Sequence, residues 1–391
     1  MPILIPYAQQ SIDQRDIKEV VKTLKSNYLT QGKKNLEFEK KLSNYCNSKY
    51  SVTFNSASSA LQLSYISLGL KKNDLILSSP ISFVATTNAA IHSGADIDFV
   101  DIDKTFCIDT NKLEDKLVKR KKSNLRMPKI VIPVHLGGLP CRMDEIKYLS
   151  KKFKFKIVED ASHAIGASYL NYKVGSCKFS DITVFSFHPV KIITTGEGGA
   201  ALTNNDRIYK KLISMRSHGI VRNTNKKNKK YWIYDQKDIG WNYRLNDIQA
   251  SLGISQLEKI DKFILKRNKI AKNYKKNLSD LPIKFQEINN SSRSSWHLFI
   301  ILVNKKDRDN LFSYMKYHNI QVSLHYIPIY KHSYYKKLLK KKIVKKESED
   351  YFKTAISLPM HYNLSEANQN KIIKTLKKFF NKKNNYYFNH F

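Results

Sequence analysis

A lysine at position 191 follows the apolar run Val184, Phe185, Ser186, Phe187 and precedes a glycine-rich turn, the segment reading VFSFHPVKIITTGEGGA from 184 to 200. A lysine held at a strand edge by apolar neighbours loses its proton readily, which suits it to form an imine with an aldehyde. The chain has 58 lysines, so the ordinary reading of any one of them is a solvated amine; the company of Lys191 is what sets it apart. The run 156–158 leads into Glu159, Asp160, Ala161, Ser162 and His163, which puts carboxylates and an imidazole at the carboxyl end of a strand, the edge of an open α/β sheet where ligands bind. Taken alone, such an acidic pair is more often a turn or a helix cap. Pyridoxal 5'-phosphate (PLP) chemistry requires a lysine for the imine, a carboxylate that keeps the pyridine nitrogen protonated, an aromatic face on the ring, and a hydroxyl or amide cradle for the phosphate. Lys191, Asp160, Phe83 and the Ser58, Ser59 pair supply all four. A helix beginning after Asn55-Ser56-Ala57 points free amides at the phosphate. No GxxxxGK[ST] string is present, so the glycine-rich turn is not a nucleoside-triphosphate loop.

The elements that must position these groups follow from periodicity. Residues 13–25 and 34–46 show helical spacing, with Ile17, Val20, Val21 and Leu24 forming one stripe. From 50 to 200, β-rich runs at 50–54, 75–77, 97–100, 130–134, 155–158 and 182–187 alternate with helical segments. That alternation predicts a doubly wound α/β domain with a largely parallel sheet. The stretch RNTNKKNKK, 222–230, has no apolar period and reads as an exposed loop. Helices are expected at 246–260 and 261–278, then a strand at 298–303, a helix at 307–318, a strand at 320–325 and a last helix at 365–380. The expected organisation is an N-terminal segment (1–25), a large α/β domain (26–260), a small C-terminal α+β domain (261–381) and a basic, disordered tail (382–391).

Composition narrows the function classes. With 391 residues, 41% of them hydrophobic and 12% aromatic, the chain can bury a large core. Its net charge of +36 invites a nucleic-acid-binding reading, but 58 lysines against 11 arginines, spread over the whole chain with many Asn, Ile and Tyr, fit an AT-rich coding bias better than an Arg-based recognition surface. No nucleic-acid partner is expected. The positive field raises the encounter rate with an anionic substrate. Cys46, Cys107, Cys141 and Cys177 are far apart with no Cys-x-x-Cys pair, so neither a disulfide framework nor a metal site is expected. The start MPILIPYAQQ carries no signal pattern and no stretch reaches ~18 apolar residues, so a cytoplasmic protein without membrane segments is expected.

The segments LTQGKKNLEFEKKL, FNSASSAL, PISFVATTNA, EDASHAIGA, FSFHPVKIITTGEGGA, SHGI, GWNYRLNDIQASLG and HYIPIY occur in this order across residues 29–330. Together they resemble the DegT-like PLP-dependent nucleotide-sugar aminotransferases, over nearly the whole chain. The resemblance implies PLP-dependent transferase fold type I, the aspartate aminotransferase-like architecture of a large, mostly parallel-sheet domain plus a small α+β domain. It implies glutamate as amino donor and C4 of a nucleotide-linked 4-keto-6-deoxy sugar as acceptor. Within the family it is strongest toward the pseudaminic acid branch, whose acceptor is UDP-2-acetamido-2,6-dideoxy-β-L-arabino-hex-4-ulose. The D-xylo epimer and a perosamine-type reaction stay open. By the same resemblance Lys191 is the imine lysine and proton shuttle, Asp160 the pyridinium partner, and His163 the group near the cofactor's phenolic oxygen. Phe83 stacks on the ring, and Ser58, Ser59 and Ser186 hold the phosphate. Asn242, with Arg244, reaches the phosphate of the neighbouring subunit, which implies a homodimer with shared sites. Tyr7, His188, Thr30, Gln31, Gly32, His325, Tyr326 and Tyr330 border sugar and nucleotide. From the residues alone, 30–32 is equally a turn before a helix and 325–330 equally a core strand and turn. Relatives with His at the lysine position dehydrate sugars; Lys191 implies transamination.

Overall fold

The computed structural model describes residues 4–222, 232–340 and 343–385. Seven strands make the main sheet: β1 Tyr50–Phe54, β2 Leu75–Ser78, β3 Asp96–Phe99, β4 Ile130–Ile132, β5 Lys156–Asp160, β6 Ile182–Ser186 and β7 Gly199–Thr203. Their order is β1-β7-β6-β5-β4-β2-β3. Strands β2 to β6 pair in parallel, and β7 is antiparallel to both of its neighbours. β2, β4 and β6 (LILS, IVI, ITVFS) are buried along their whole length, as a sheet covered on both faces requires. One face packs Val52, Phe54, Ile76, Val158 and Val184 against the helix Ala57–Ser67; the other packs Leu77, Val131 and Ile157 against Leu113, Leu117, Ile146 and Leu149 of two flanking helices. Strand β7 was not expected, because GAALT has little β propensity. Pairing on both edges holds it in the sheet.

The helices α1 (Gln14–Leu24) and α2 (Lys33–Cys46) lie within a residue or so of expectation. Buried Asp16 accepts from Gln256 Nε2 at 2.9 Å and Lys259 Nζ at 2.6 Å, which ties α1 to the helix Asp247–Leu257. A smaller antiparallel sheet joins Lys284–Phe285, Phe299–Leu302 and Ala355–Leu358, and packs with the helices Ile260–Leu278, Lys305–Tyr317 and Glu366–Asn385 around Ile301, Leu311, Met315, Ile356, Ile372 and Leu376.

Three expectations change. Residues 320–325 do not form a strand: Ile320 bridges to Ile5 and Ser323 to Ser357, so the segment switches partners before a ladder can build. The last helix runs on to Asn385, so the first residues of the expected tail are helical, and 386–391 lie outside the described residues. Arg222, expected in a loop, ends the strand Ile220–Arg222, and 223–230 lie outside the described residues. Among the described residues no helix is long and apolar enough to cross a membrane, and no group of His, Cys, Asp and Glu is placed to hold a metal ion.

Candidate active site

The candidate residues converge at the carboxyl edge of the parallel strands. Strand β1 leads into α3 (Ala57–Ser67), whose N-cap is Ser56: its Oγ accepts from Ser59 N at 3.1 Å. The helix thus starts at Ala57, a little earlier than expected. The Ala57 and Ser58 amides lie in its first turn, outside the helical ladder. Ser58 is exposed. Ser59 is buried, with its hydroxyl donating to Asn55 Oδ1 at 2.7 Å and 2.9 Å from Ser56 Oγ. Ser186, at the end of β6, is also buried. Gly199, the first residue of β7, presses on this turn: a Cβ there would lie 2.5 Å from Ala57 N and 2.6 Å from the Ser56 carbonyl carbon. Gly199→Ala is therefore expected to displace the start of α3, costing about 1–3 kcal/mol of stability by overpacking. A melting curve measures that cost, and a phosphate titration by NMR should show weakened anion binding.

The backbone carbonyl of Tyr243 accepts from Asn55 N at 2.9 Å, which docks the GWNYRL segment on the same rim. Asn242 there is exposed and Arg244 half-buried.

Asp160 closes β5. Its Oδ2 accepts from Thr86 Oγ1 at 2.6 Å, and its Oδ1 accepts from Ser162 Oγ at 2.6 Å and Ser162 N at 3.2 Å. Glu159, its neighbour, faces the other way, as strand alternation demands. Its partners are His135 Nε2 at 2.7 Å, Ser180 Oγ and Thr183 Oγ1 at 2.8 Å. Burial would raise the Glu159 carboxyl, but these hydrogen bonds outweigh it and hold it below the usual range. The acidic pair therefore divides into one structural and one site-facing carboxylate.

Lys191 sits on a tight turn in which its N–H donates to the His188 carbonyl at 2.9 Å. Burial pushes its ammonium down to about 8, against the opposing pull of Asp160. His163, three residues beyond Asp160, is held well below the ordinary histidine range by burial, then by Lys191 and His325. His325 is pushed down to about 3 by burial and by Lys191. Tyr326 Oη lies 3.0 Å from His163 Nε2, and its ring lies 6.0 Å from that of Phe83. Phe83 is 59% exposed. Tyr7 arrives from the N-terminal segment with its ring 5.5 Å from that of His325.

Some candidates go elsewhere. Tyr330 is buried in the core beside Phe99, and its hydroxyl donates to Glu349 Oε1 at 3.1 Å, so its polar end is committed away from Lys191. Thr30 and Gln31 are exposed in the turn before α2. Gly32 packs so closely on Asp247 that a Cβ would meet Oδ2 at 2.1 Å, which explains the glycine without reference to a ligand. His188 is exposed, 3.8 Å from Glu197. Sequence reasoning passed over Thr86, Gly137 and His297. Thr86 had a signal, since it lies in the quoted PISFVATTNA one helical turn after Phe83; the other two had none.

The model of the DegT/DnrJ/EryC1/StrS aminotransferase family matches residues 10–377. A UDP-4-amino-4,6-dideoxy-N-acetyl-beta-L-altrosamine transaminase of Campylobacter jejuni is 41% identical over 373 residues, which is 93% of this chain and 95% of the relative. A Helicobacter pylori protein of the same name is 35% identical over 384 residues, 95% of this chain and 98% of its own length. Helicobacter pylori PseC, an aminotransferase involved in the biosynthesis of pseudoaminic acid, has a solved structure that superposes with a TM-score of 0.90 at 34% identity, covering 97% of this chain and 100% of that one. Spr1654 of Streptococcus pneumoniae in its PLP form superposes with a TM-score of 0.86 at 28% identity, covering 97% and 99%. The large mixed sheet and small α+β unit are thus fold type I as expected, and the chain belongs to the DegT/DnrJ/EryC1/StrS aminotransferase family.

Proposed function

We propose that this chain is a PLP-dependent aminotransferase that moves the amino group of glutamate to C4 of a UDP-linked 2-acetamido-2,6-dideoxy-4-keto hexose of L-arabino configuration, on the path to pseudaminic acid. The observation that carries the chemistry is Lys191 on the turn after β6, its ammonium pushed down to about 8 by burial and within electrostatic reach of Asp160. The residues fit the cofactor. The close packing of Gly199 on Ser56 and Ala57 fixes the start of α3, whose first-turn amides, with Ser58, Ser59 and Ser186, would form a phosphate cradle, and the Asp160 carboxylate is held by both oxygens for a pyridine N–H. Bound there, PLP supplies an electron sink for the carbanion that deprotonation of an amino acid leaves.

The protein's own residues do the rest. Lys191 Nζ would anchor the cofactor and, as a free amine, would take the proton from the α-carbon of glutamate. Asp160 keeps its partner nitrogen charged. Phe83 would cover the ring, His163 would face the cofactor's phenolic oxygen, and Tyr326, His325 and Tyr7 would border the sugar. The pKa of Lys191 carries a prediction. The rate at which cofactor-free enzyme captures PLP should rise about tenfold per pH unit below 8 and level off above it, because only the free amine attacks. A stopped-flow absorbance series against pH checks this; a rate still climbing above pH ~10 belongs to an ordinary lysine.

The active unit on this reading is a homodimer in which Asn242 and Arg244 of a second copy complete the phosphate site. The exposure of Asn242 on the rim that Tyr243 anchors supports it. Mixing Lys191→Ala with Asn242→Ala subunits should restore part of the activity; a fully active monomer in sedimentation would rule the dimer out. A cytoplasmic location accords with four buried, free cysteines.

The substrate rests on the 41% identity to a transaminase named for it. Comparing kcat/KM for the L-arabino and D-xylo epimers with glutamate tests it, since that ratio reports differential transition-state binding. Preference for the D-xylo epimer or for a GDP sugar leaves the aminotransferase in place and removes this substrate.

A further inference from the structure

Three segments far apart in the chain meet around the His163 ring. Its Nδ1 accepts a hydrogen bond from the backbone N–H of Gly137 at 3.3 Å, and its Nε2 lies 3.0 Å from Tyr326 Oη. Ser295 Oγ donates to the His163 carbonyl at 3.0 Å, and the ring of His297 lies 4.4 Å from that of His163. The amide that touches Nδ1 is itself clamped. Leu298 N donates to the Gly137 carbonyl at 3.2 Å and Ser295 N to that of Gly138 at 3.0 Å. Both glycines have positive φ, 70° and 95°. A Cβ on Gly138 would lie 2.5 Å from Ser295 Oγ and 2.9 Å from the His163 carbonyl oxygen, so the turn and the 295–298 segment fit only without one.

A backbone amide can only donate, so the nitrogen it reaches carries no hydrogen, and a neutral imidazole must then carry its single proton on the other nitrogen. We infer that the Gly137 amide and the Ser295–His297 segment fix His163 as the Nε2–H tautomer, which makes His163 a hydrogen-bond donor in this site and not a base. Two consequences follow from the same geometry. His163 Nε2–H donates to Tyr326 Oη, so the phenol's own hydrogen is directed to a different acceptor. Burial and the Asp160 carboxylate keep that hydrogen on Tyr326. The chain from Gly137 N–H through His163 therefore leaves the Tyr326 hydroxyl as a donor, suited to a carbonyl or anionic oxygen of a bound group. Gly137 and Ser295 are positioning residues, acting through His163. Protonation to the imidazolium is opposed by burial and by the neighbouring Lys191 and His325. The relevance to catalysis rests on the aminotransferase reading; the tautomer does not.

The test begins with protein labelled with 15N-histidine, observed with and without PLP, the His163 signals being those missing from His163→Gln and His163→Ala. The expected spectrum shows Nδ1 bare and Nε2 protonated between about pH 6 and 9. A proton on Nδ1, or an imidazolium within that range, overturns the inference. A second measurement reads the role. Glutamine offers an N–H donor of similar reach but accepts no proton, so His163→Gln should keep kcat within about tenfold of wild type while His163→Ala loses about 10²-fold or more. Equal losses of about 10²–10⁴-fold in both would make His163 a base and sink the donor assignment. Melting curves on each variant separate these losses from unfolding. Failure of the wild-type protein to bind PLP would instead remove the proposed function and leave the tautomer standing.

Discussion

Lys191→Ala is expected to lower turnover by on the order of 10⁴-fold or more, because one substitution removes both the covalent anchor and the group that moves the proton. Borohydride treatment of the loaded wild-type enzyme, followed by peptide mass analysis, should find the pyridoxyl label on Lys191 alone among the lysines. A label elsewhere would end the assignment. Stability should move in the opposite direction. The Lys191 pKa is lowered on folding, from an ordinary 10.5 to about 8, so the folded state binds this proton less readily than the unfolded chain does. The resulting penalty is present in full below pH 8 and is relieved as pH rises from 8 toward 10.5. Melting temperatures of Lys191→Ala below pH 8 should therefore equal or exceed those of wild type. Lys210→Ala, on the exposed face of another helix, should leave activity unchanged.

Asp160→Asn is expected to slow transamination by on the order of 10²–10³-fold, the size of loss seen when one preorganised electrostatic group is removed from a dry site. The substitution preserves shape. The Thr86 hydroxyl, which now donates to Oδ2 at 2.6 Å, can turn to accept from the new amide nitrogen, while Ser162 Oγ and N keep donating to the remaining oxygen. Cofactor affinity, held chiefly at the phosphate end, should fall much less than kcat. Measuring PLP affinity and kcat on the same preparation separates the two; near-normal kcat would show that the carboxylate does not face the reacting ring. Thr86→Val keeps the charge and frees one oxygen, so a smaller loss in kcat is expected from it than from Asp160→Asn.

Much of this was legible in the chain itself. Apolar runs bounded by turn signals located the strands of the parallel sheet, because a strand buried on both faces has no alternation to obscure it. Once those strands are placed, their carboxyl ends put Asp160, His163, Ser186 and Phe83 on one edge, and Lys191 follows within the next turn. The order of the quoted segments carried the family as well.

Tertiary structure decided the rest. Period two states that Glu159 and Asp160 point to opposite faces, but which face holds the ligand depends on where Thr86 and His135 pack. Gly199 and β7 look like a flexible glycine-rich turn until β1 and β6 close on both sides of them. Tyr330 and Tyr326 belong to one short motif, yet Glu349 draws the first into the core while His163 meets the second. The partners of the His163 ring lie 26 and 163 positions away, and one of them is a backbone amide with no side chain to announce it. Local pattern reports which residues can share a strand or a turn, because those forces act between chain neighbours. The proton on His163 is settled by a contact between distant segments, and only the packed fold brings those together.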